Sequence, residues 1–256
     1  MIRLSAENLS AGFKSKKTAA SRTVLSGLNF SLEEGELLVL AGPNGGGKTT
    51  LLKTAAGFLP AIAGRIRVGE IDMASMSKRE KASAISFVFQ GQNALWPFTV
   101  EEFISQGRFP RRGFFAAEAV SDRNTVVDSI RAAGLLGYEN RVVTELSGGE
   151  FQRVLIARAM AQETAIILMD EPTNNLDPKY QFTVMNLVRS LTGAGLSVLM
   201  SLHDLTLANA YADRVALVAR GSLAALGKPA DVLREDMLTG VFEIPPGYEK
   251  YIMPRG

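Results

Sequence analysis

Residues 37–50 read LLVLAGPNGGGKTT, and this segment determines the architecture of the chain. Residues 37–41 form an unbroken apolar run with the length of a buried strand, and a helical pattern begins at Lys48. Between them, Gly42–Thr49 fits the P-loop pattern G-x-x-x-x-G-K-[ST] in the strand–loop–helix setting that the pattern requires. The segment therefore predicts a site for the phosphate groups of a nucleotide.

The residue types of this loop suit an anion. Glycines let backbone N–H groups turn inward, the following helix directs its positive end at the same spot, and Lys48 adds a full charge. Thr49 is placed to offer its hydroxyl to Mg²⁺, whereas a glycine-rich turn with an incidental lysine is the structural alternative. The residues expected to contact the nucleotide are Gly42, Pro43, Asn44, Gly45, Gly46, Gly47, Lys48, Thr49 and Thr50.

A second apolar run ends in two carboxylates. Residues 165–169 predict a strand that places Asp170 and Glu171 at its carboxyl end, where open α/β sheets bind ligands. We expect Asp170 to hold Mg²⁺ and Glu171 to polarise an attacking water; acidic capping of a strand end is the alternative. The sequence lacks the N-K-x-D motif of guanine-specific switch proteins, which favours adenine, and small-molecule kinases stay open at this point.

Composition narrows the class of protein. The 28 Lys and Arg against 26 Asp and Glu leave a net charge of +2 over 256 residues, which argues against a protein that wraps nucleic acid. The sequence has no cysteine for disulfides or thiolate metal sites, and the single His203 excludes a multi-histidine site. No apolar run approaches the roughly 18 residues that cross a bilayer, and no secretory signal is recognised. We therefore expect the protein to be located in the cytoplasm.

Periodicity predicts a single α/β domain over residues 1–256, with a mostly parallel core, an antiparallel β subdomain and an inserted helical subdomain at about 92–162. Strands are predicted at 3–7, 24–32, 37–41, 65–71, 85–89, 165–169, 196–201 and 214–218. Helices are predicted at 100–106, 117–133, 148–161, 178–191 and 205–212. The Pro- and Gly-rich composition beyond Glu243 favours a loosely packed tail.

The segment Leu146–Glu150, LSGGE, directly precedes an amphipathic helix. Ser147 and Glu150 have the spacing of a capping box, which is a purely structural explanation. Gly148 and Gly149 weaken that explanation, because glycine lowers helix propensity by about 0.8–1 kcal/mol per residue. We therefore expect something to approach this backbone closely, and the amides of the helix start make a second phosphate site.

With these motifs the chain resembles the nucleotide-binding subunits of ABC transporters along almost its whole length. Six segments in family order carry the resemblance: the Walker A motif Gly42–Thr49, the Q-loop Phe87–Gln90, the signature Leu146–Glu150, the Walker B motif Ala165–Asp170 followed by Glu171, the D-loop Asn174–Asp177 and the H-switch His203–Asp204. The resemblance implies an ATPase with a P-loop NTPase core that uses ATP and Mg²⁺.

The resemblance also implies that two copies pair head to tail as a homodimer. Each ATP would lie between the P-loop of one copy and the signature of the other, and the dimer would close on ATP and reopen after hydrolysis. Ser147, Gly148 and Gly149 would then contact the partner's nucleotide, together with Asp177 of the D-loop.

Further site residues follow from the same resemblance. Gln90 would sense Mg²⁺ and the attacking water while linking the site to the membrane partner, and His203 would contact the γ-phosphate. Phe13 stands where the family usually has a tyrosine that stacks on adenine, and both stacking and core packing stay open. Phe151, at a position that is often polar or basic in the family, packs either against a partner or into the helical subdomain.

The finer classification rests on the pattern Gly107–Pro110 and on the segment after His203, which are similar to ATPases of iron-siderophore, haem and cobalamin importers. ATPases of zinc or manganese importers and soluble, non-transport ABC ATPases are the alternatives. The expected partners are integral membrane permease subunits and a substrate-binding protein, with no nucleic acid, at the cytoplasmic face of the cell membrane. The basic and aromatic residues 108–115 would face a membrane subunit or lipid headgroups, or form a solvated loop.

Overall fold

The structure is a computed structural model that describes residues 1–14, 21–92, 94–112 and 119–245. Its strands are β1 (Ile2–Lys14), β2 (Ser21–Glu33), β3 (Leu37–Ala41), β4 (Ala61–Val68), β5 (Ile71–Asp72), β6 (Ile85–Val88), β7 (Ile166–Asp170), β8 (Ser197–Ser201), β9 (Arg214–Ala219) and β10 (Ser222–Gly227). Its α-helices are α1 (Lys48–Ala55), α2 (Lys78–Ala84), α3 (Val100–Ser105), α4 (Phe109–Arg112), α5 (Val120–Ala132), α6 (Gly148–Ala161), α7 (Pro178–Gly193), α8 (Leu205–Tyr211), α9 (Pro229–Val232) and α10 (Glu235–Phe242).

The strands form two sheets. One is antiparallel, with the order β2-β1-β4-β5, and the other has the order β10-β9-β3-β8-β7-β6. In the second sheet, neighbouring strands from β9 to β6 run parallel, and β10 pairs antiparallel with β9. The predicted α/β class, with an antiparallel sheet beside a mostly parallel one, is confirmed.

The central strands of the mixed sheet read as nearly continuous apolar runs because both of their faces are covered. All five residues of β3, of β7 and of β8 are buried, as expected for parallel strands with packing on either side. Since these strands are parallel, their carboxyl ends meet at one edge of the sheet. That edge carries the P-loop after Ala41, the carboxylate of Asp170 and the hydroxyl of Ser201.

Alternating residues of β3 belong to two different apolar cores. Leu38 and Leu40 join the core that includes the antiparallel sheet and α1. Leu37 and Val39 join the core that includes the helices packed on the opposite face. Because each buried leucine or valine contributes about 1.5–3 kcal/mol relative to exposure, both cores stabilise the strand that leads into the P-loop.

Between β6 and β7 the chain is mainly helical. Helix α6 packs against α3 and α5, and the rings of Phe103 and Phe151 lie 5.7 Å apart between their centroids. Phe151 is buried, so it packs within this helical segment, which settles the choice left open by the sequence. An antiparallel bridge between Thr99 and Val142 closes the segment.

Arg108 differs from its expected position facing a membrane, a permease subunit or solvent. It is buried, and its Nε donates to Oδ1 of Asp122 at 2.8 Å. Its Nη1 donates to the carbonyl oxygen of Ala161 and to Oε2 of Glu163, both at 2.6 Å. Burial is compatible with the charge because two carboxylates and a carbonyl surround the guanidinium. Arg108 therefore joins the C-terminal end of α6 to the start of α5.

The remaining differences concern element boundaries. β1 continues to Lys14, well beyond the predicted 3–7, and β2 begins at Ser21 instead of residue 24, because register shifts along the pair interrupt the alternation of polar and apolar residues. The strand predicted at 65–71 is two strands, with Gly69 at φ 57° in the turn between them. β10 was not predicted, because its sequence SLAALG does not alternate clearly between polar and apolar residues.

Some predictions concern residues outside the described ranges: the first two residues of the helix at 117–133, the later part of the stretch at 108–115, and most of the tail beyond Glu243. In the part of the chain that the structure describes, no helix is both long enough and apolar enough to cross a bilayer.

Candidate functional site

The P-loop backbone is tightly enclosed by its neighbours. Gly42 has a φ of 139°, and a Cβ on it would lie 2.0 Å from the carbonyl oxygen of Val218. Gly47 has a φ of 108°, and a Cβ there would lie 2.4 Å from Cδ2 of Leu25. Only glycine satisfies both the dihedral angle and the available space. The two fixed glycines of the motif are therefore required by the fold itself.

Helix α1 begins with free amides beside a buried cation. Its N-cap residue, Gly47, supplies no side-chain hydrogen bond, so the first N–H groups of the helix remain available to an anion. Nζ of Lys48 donates to the carbonyl oxygens of Gly42 at 2.8 Å and Pro43 at 3.0 Å. Burial lowers the pKa of Lys48, and two nearby carboxylates oppose that shift. The free amides of α1 and the Lys48 ammonium form the half of the site that can donate hydrogen bonds to an anion.

The acidic half lies where β7 and β8 end. Asp170 and Ser201 are register partners, and the Ser201 hydroxyl donates to Oδ1 of Asp170 at 2.7 Å. The Thr49 hydroxyl donates to the same oxygen at 3.2 Å. Mg²⁺ binds hard oxygen ligands, commonly one or two carboxylates together with substrate phosphates. The oxygens of Thr49 and Asp170 therefore fit the predicted ion.

Three side chains converge on the carboxylate of Glu171. Oε2 accepts hydrogen bonds from the side-chain amides of Gln90 and of Asn174, the latter at 3.0 Å, and Oε1 pairs with Nε2 of His203. Glu171 itself has a φ of 49°, a left-handed conformation that turns the chain away from β7 immediately after Asp170. The structure thus brings together the three residues predicted to be catalytic, although they come from distant parts of the chain.

Phe13 lies beside the P-loop. It is 50% exposed, and it lines a groove together with Asn44, Lys48 and Thr50. Arg22, its cross-strand partner in β2, lines the same groove. Core packing of Phe13, one of the two alternatives, is therefore wrong. Stacking on adenine stays a prediction, and an exposed ring next to the phosphate loop has the position that stacking needs.

The signature segment forms the start of α6. Ser147 is the N-cap, and with Glu150 it makes a complete capping box. A Cβ on Gly149 would lie 2.5 Å from the ring of Tyr180 in α7, whereas at Gly148 the nearest atom within 4 Å is Cδ2 of Leu176 at 3.7 Å. The close approach expected at Gly149 is therefore made by an aromatic ring of the same chain. At Gly148 the backbone remains open to a ligand.

The signature residues and Asp177 of the D-loop do not line the P-loop groove. Ser147 and Gly148 are exposed, and neither lines that groove. Gly148 instead lines a second groove, which also includes Gln90 and Glu171. Asp177 is exposed at the N-terminus of α7 and makes no capping hydrogen bond. Within one copy, the predicted nucleotide contacts thus form two separate sets.

Sequence reasoning missed two residues of the site. The Ser201 hydroxyl, besides its bond to Asp170, accepts a 2.9 Å hydrogen bond from the backbone N–H of Glu171. Its signal in the sequence is a polar residue that ends a strand directly after the apolar residues Val198–Met200. Asn174 was assigned to the D-loop without a role. The backbone N–H of Asn174 donates to the Glu171 carbonyl at 3.1 Å. The turn that this bond closes brings the Asn174 side chain back to the Glu171 carboxylate.

The chain matches the ABC transporter family over residues 25–174. It is 40% identical over 224 residues to the hemin import ATP-binding protein HmuV of Streptomyces coelicolor, covering 88% of this chain and 79% of that protein. It is 35% identical over 251 residues to the protein of the same name from Mesorhizobium japonicum, covering 92% and 94% of the two chains.

Solved structures agree with this assignment. A structure described as a metal-chelate type ABC transporter in an inward-facing conformation has a TM-score of 0.82 and 29% identity, covering 96% of this chain and 90% of that one. A dimeric bacterial ABC transporter cassette has a TM-score of 0.76 and 28% identity, covering 88% and 98%. With its family match, its relatives and its fold in agreement, this chain belongs to the ABC transporter family as an ATP-binding subunit.

Proposed function

We propose that this ATPase subunit hydrolyses MgATP within a closed homodimer and thereby powers an importer of an iron-siderophore, haem or cobalamin at the cytoplasmic face of the cell membrane. The observation that carries the proposal is the convergence of Gln90, Asn174 and His203 on the Glu171 carboxylate, beside the P-loop. Such an arrangement orients a general base next to a triphosphate site.

Binding would use the two halves of the site described above. The amides of the P-loop and Lys48 would hold the β- and γ-phosphates, with Phe13 under the adenine ring. Thr49, Asp170 and Gln90 would hold Mg²⁺, which when bound neutralises charge that develops on the transferred phosphoryl group. Lys48 would exchange its present carbonyl partners for phosphate oxygens.

Hydrolysis would use Glu171 as the base. Glu171 would accept a proton from water as the water oxygen bonds to the γ-phosphorus and the bond to the ADP oxygen breaks, giving ADP and phosphate. Its three partners would fix the carboxylate, so that one lone pair faces the water. His203, with its side chain 42% exposed, can turn toward the γ-phosphate while staying beside the base.

The homodimer would complete each site. Ser147 and Gly148 are exposed with a helix start behind them, yet they do not line the P-loop groove of their own chain. A head-to-tail pair would place them, together with Asp177, on the nucleotide of the other copy. The similarity to a dimeric cassette supports this arrangement.

The cargo is proposed from the relatives. Two of them are named for hemin import, and a structural neighbour is described as a metal-chelate transporter. These names favour a chelated metal over the free zinc or manganese ions of the alternative class. A substrate-binding protein would deliver the cargo to the permease. Uptake of haem, cobalamin and a ferric siderophore into vesicles that hold the reconstituted transporter would distinguish the three cargoes.

A groove beside the Q-loop is the surface that we propose for the permease. Phe58, Phe87 and Phe89 form an aromatic cluster there, with ring centroids 4.3–5.3 Å apart, and Phe58 is 54% exposed. The charged side chains among the described residues that line the groove are Lys78, Lys81 and Arg158, all basic. An apolar segment of the permease that carries acidic residues fits this surface, and Gln90 directly follows Phe89.

The decisive test is Glu171→Gln. This variant should bind MgATP, form a stable dimer in ATP and lose turnover, because the amide keeps the shape of the side chain but cannot accept the proton. Dimerisation is measured by sedimentation, and hydrolysis by phosphate release. Hydrolysis at the wild-type rate would remove Glu171 as the base, and a monomeric variant in saturating ATP would contradict the shared site.

A further inference from the structure

Four hydrogen bonds or ion pairs meet at the carboxylate of Glu150, just behind the exposed signature turn. Oε2 accepts the backbone N–H and the hydroxyl of Ser147, each at 2.8 Å. Oε1 accepts the Tyr138 hydroxyl at 2.8 Å and pairs with Nη1 of Arg141 at 3.4 Å. Oε2 therefore binds the signature serine, whereas Oε1 binds the loop before α6.

Arg141 and Tyr138 also contact each other directly. The guanidinium carbon of Arg141 lies 4.5 Å from the centre of the Tyr138 ring, and the Arg141 N–H donates to the Tyr138 carbonyl at 2.9 Å. The Glu150 side chain is only 17% exposed, whereas that of Arg141 is 41% exposed. The side chains of Arg141 and Tyr138 therefore pack between the Glu150 carboxylate and the solvent.

Glu150 is an anion at neutral pH, since its pKa is lowered to about 2, chiefly by the hydrogen bond from the Ser147 backbone. An anion at this place opposes the arrival of a triphosphate at Ser147. In addition, the Ser147 hydroxyl points its proton at Oε2, so it must turn away before it can donate to a phosphate oxygen. The repulsion of the triphosphate and the hold of Oε2 on the Ser147 proton are both weaker when Arg141 and Tyr138 bind Oε1.

We infer that Tyr138 and Arg141 are positioning residues for nucleotide binding in trans: by holding and partly neutralising Glu150, they let Ser147 release its hydroxyl to the γ-phosphate bound by a second copy. This inference rests on the proposed function, in which the signature of one copy meets the ATP of the other. It assigns to the loop before α6 a role in setting the ATP concentration at which two copies pair.

The experiment uses the full chain with Glu171→Gln as the parent, because this variant should accumulate the ATP-bound dimer. The measured quantity is the MgATP concentration at half-maximal dimer, obtained by sedimentation. We expect Arg141→Ala to raise it about tenfold and Tyr138→Phe about threefold, because only part of the free energy of each bond to the Glu150 carboxylate acts on Ser147. Arg141→Lys, which keeps the charge, should recover most of the loss.

Two further measurements separate this role from a structural one. The affinity of the monomer for a fluorescent ATP analogue should be unchanged in all variants, which also shows that they are folded. In chains that retain Glu171, the same changes should raise KM and leave kcat nearly unaltered. A matched exposed arginine, Arg131→Ala, should change neither quantity, since its ion-pair partner is Asp128 in the same helix.

A double substitution tests the mechanism itself. Glu150→Gln removes the negative charge and keeps an acceptor for the Ser147 N–H, so adding Arg141→Ala to it should cause no further rise. A full additional tenfold rise would overturn the inference, as would unchanged pairing of Arg141→Ala and Tyr138→Phe in a parent that dimerises. If the parent itself fails to dimerise in ATP, the proposed function fails instead.

Discussion

The side-chain amide of Asn174 lies 3.0 Å from Oε2 of Glu171, three residues after it in the chain. The two residues are held together by a turn in which the Asn174 N–H donates to the Glu171 carbonyl. Gln90 binds the same oxygen, but in the proposed mechanism it would also hold Mg²⁺. Asn174 has no second role in the proposed mechanism, so we expect it to stay bound to Glu171 when Gln90 moves to the ion.

Replacing Asn174 should therefore affect the chemical step. Asn174→Ala should lower kcat about tenfold and leave the Kd for MgATP unchanged, because the carboxylate loses a donor while the P-loop is untouched. Asn174→Asp should be worse, since a second carboxylate would repel that of Glu171 and could not donate a hydrogen bond to it. Single-turnover hydrolysis gives the rate, and Asn124→Ala, at an exposed asparagine of α5, serves as the control. Equal rates for wild type and Asn174→Ala would contradict this role.

Ser201 joins the two acidic residues, and its loss should destabilise the fold. Ser201→Ala leaves the N–H of Glu171 without its present partner and removes one of the two hydroxyl donors to Oδ1 of Asp170, the other being Thr49, which costs about 1–3 kcal/mol. The matched control is Ser197→Ala at the other end of β8. The Ser197 hydroxyl is equally buried and has no hydrogen-bond partner among the described residues, so its removal should be neutral or stabilising. Urea unfolding of both variants measures the difference, and equal effects would contradict the prediction.

Gly149 and Gly148 should respond differently to alanine. Gly149→Ala would place a methyl group 2.5 Å from the Tyr180 ring, so we expect a loss of about 1–3 kcal/mol in unfolding free energy. Gly148→Ala meets nothing closer than 3.7 Å and should fold normally, although it should weaken ATP-driven pairing. Thermal unfolding distinguishes the two. Tyr180→Ala should make Gly149→Ala tolerable, and the absence of this rescue would show that another contact is responsible.

The Glu150 carboxylate should make stability depend on pH in a defined range. Its pKa in the folded chain is about 2, below the ordinary 4.5, mainly because of the hydrogen bond from the Ser147 backbone. Its contribution is therefore fully present above about pH 4.5 and is lost as the pH falls toward 2. The stability difference between wild type and Glu150→Gln should shrink by at most about 3 kcal/mol across that range. Urea unfolding at several pH values tests this, and parallel curves would contradict it.

Phe13 gives a prediction about nucleotide affinity. Phe13→Ala should weaken ATP binding about tenfold through lost stacking, with little change in stability, because the ring is half exposed. Phe182→Ala is a matched control, since Phe182 has the same exposed fraction of 50% and lies on α7, away from the P-loop groove. Titration of the monomer with ATP measures both. Unchanged affinity of Phe13→Ala would remove Phe13 from the site.

The features that could be predicted from the sequence are those formed by residues close together in the chain. The P-loop lies within one short segment, and the buried strands before it and before Asp170 are continuous apolar runs, so period and motif identify them together. The α/β class follows from the alternation of such strands with amphipathic helices. The family resemblance then linked Gln90 and His203 to Glu171, which neither residue type nor spacing could have done.

What the sequence could not predict depends on how distant segments register against each other. Ser201 meets Asp170 only because β8 pairs with β7 in one particular register. Tyr138 has no motif around it, and its bond to Glu150 depends on how the loop before α6 returns to that helix. The contact of Gly149 with the Tyr180 ring could not be predicted either, because that ring comes from another helix.

The contact between Gly149 and the Tyr180 ring has a consequence for assembly. It packs the start of α6 tightly against the start of α7, so we expect the exposed turn at Ser147 and the loop that ends at Asp177 to act as one ordered surface. A surface that is already ordered loses little conformational entropy when it meets a second molecule. The encounter of two copies should therefore be governed by nucleotide charge and occupancy, with no slow ordering of loops before docking.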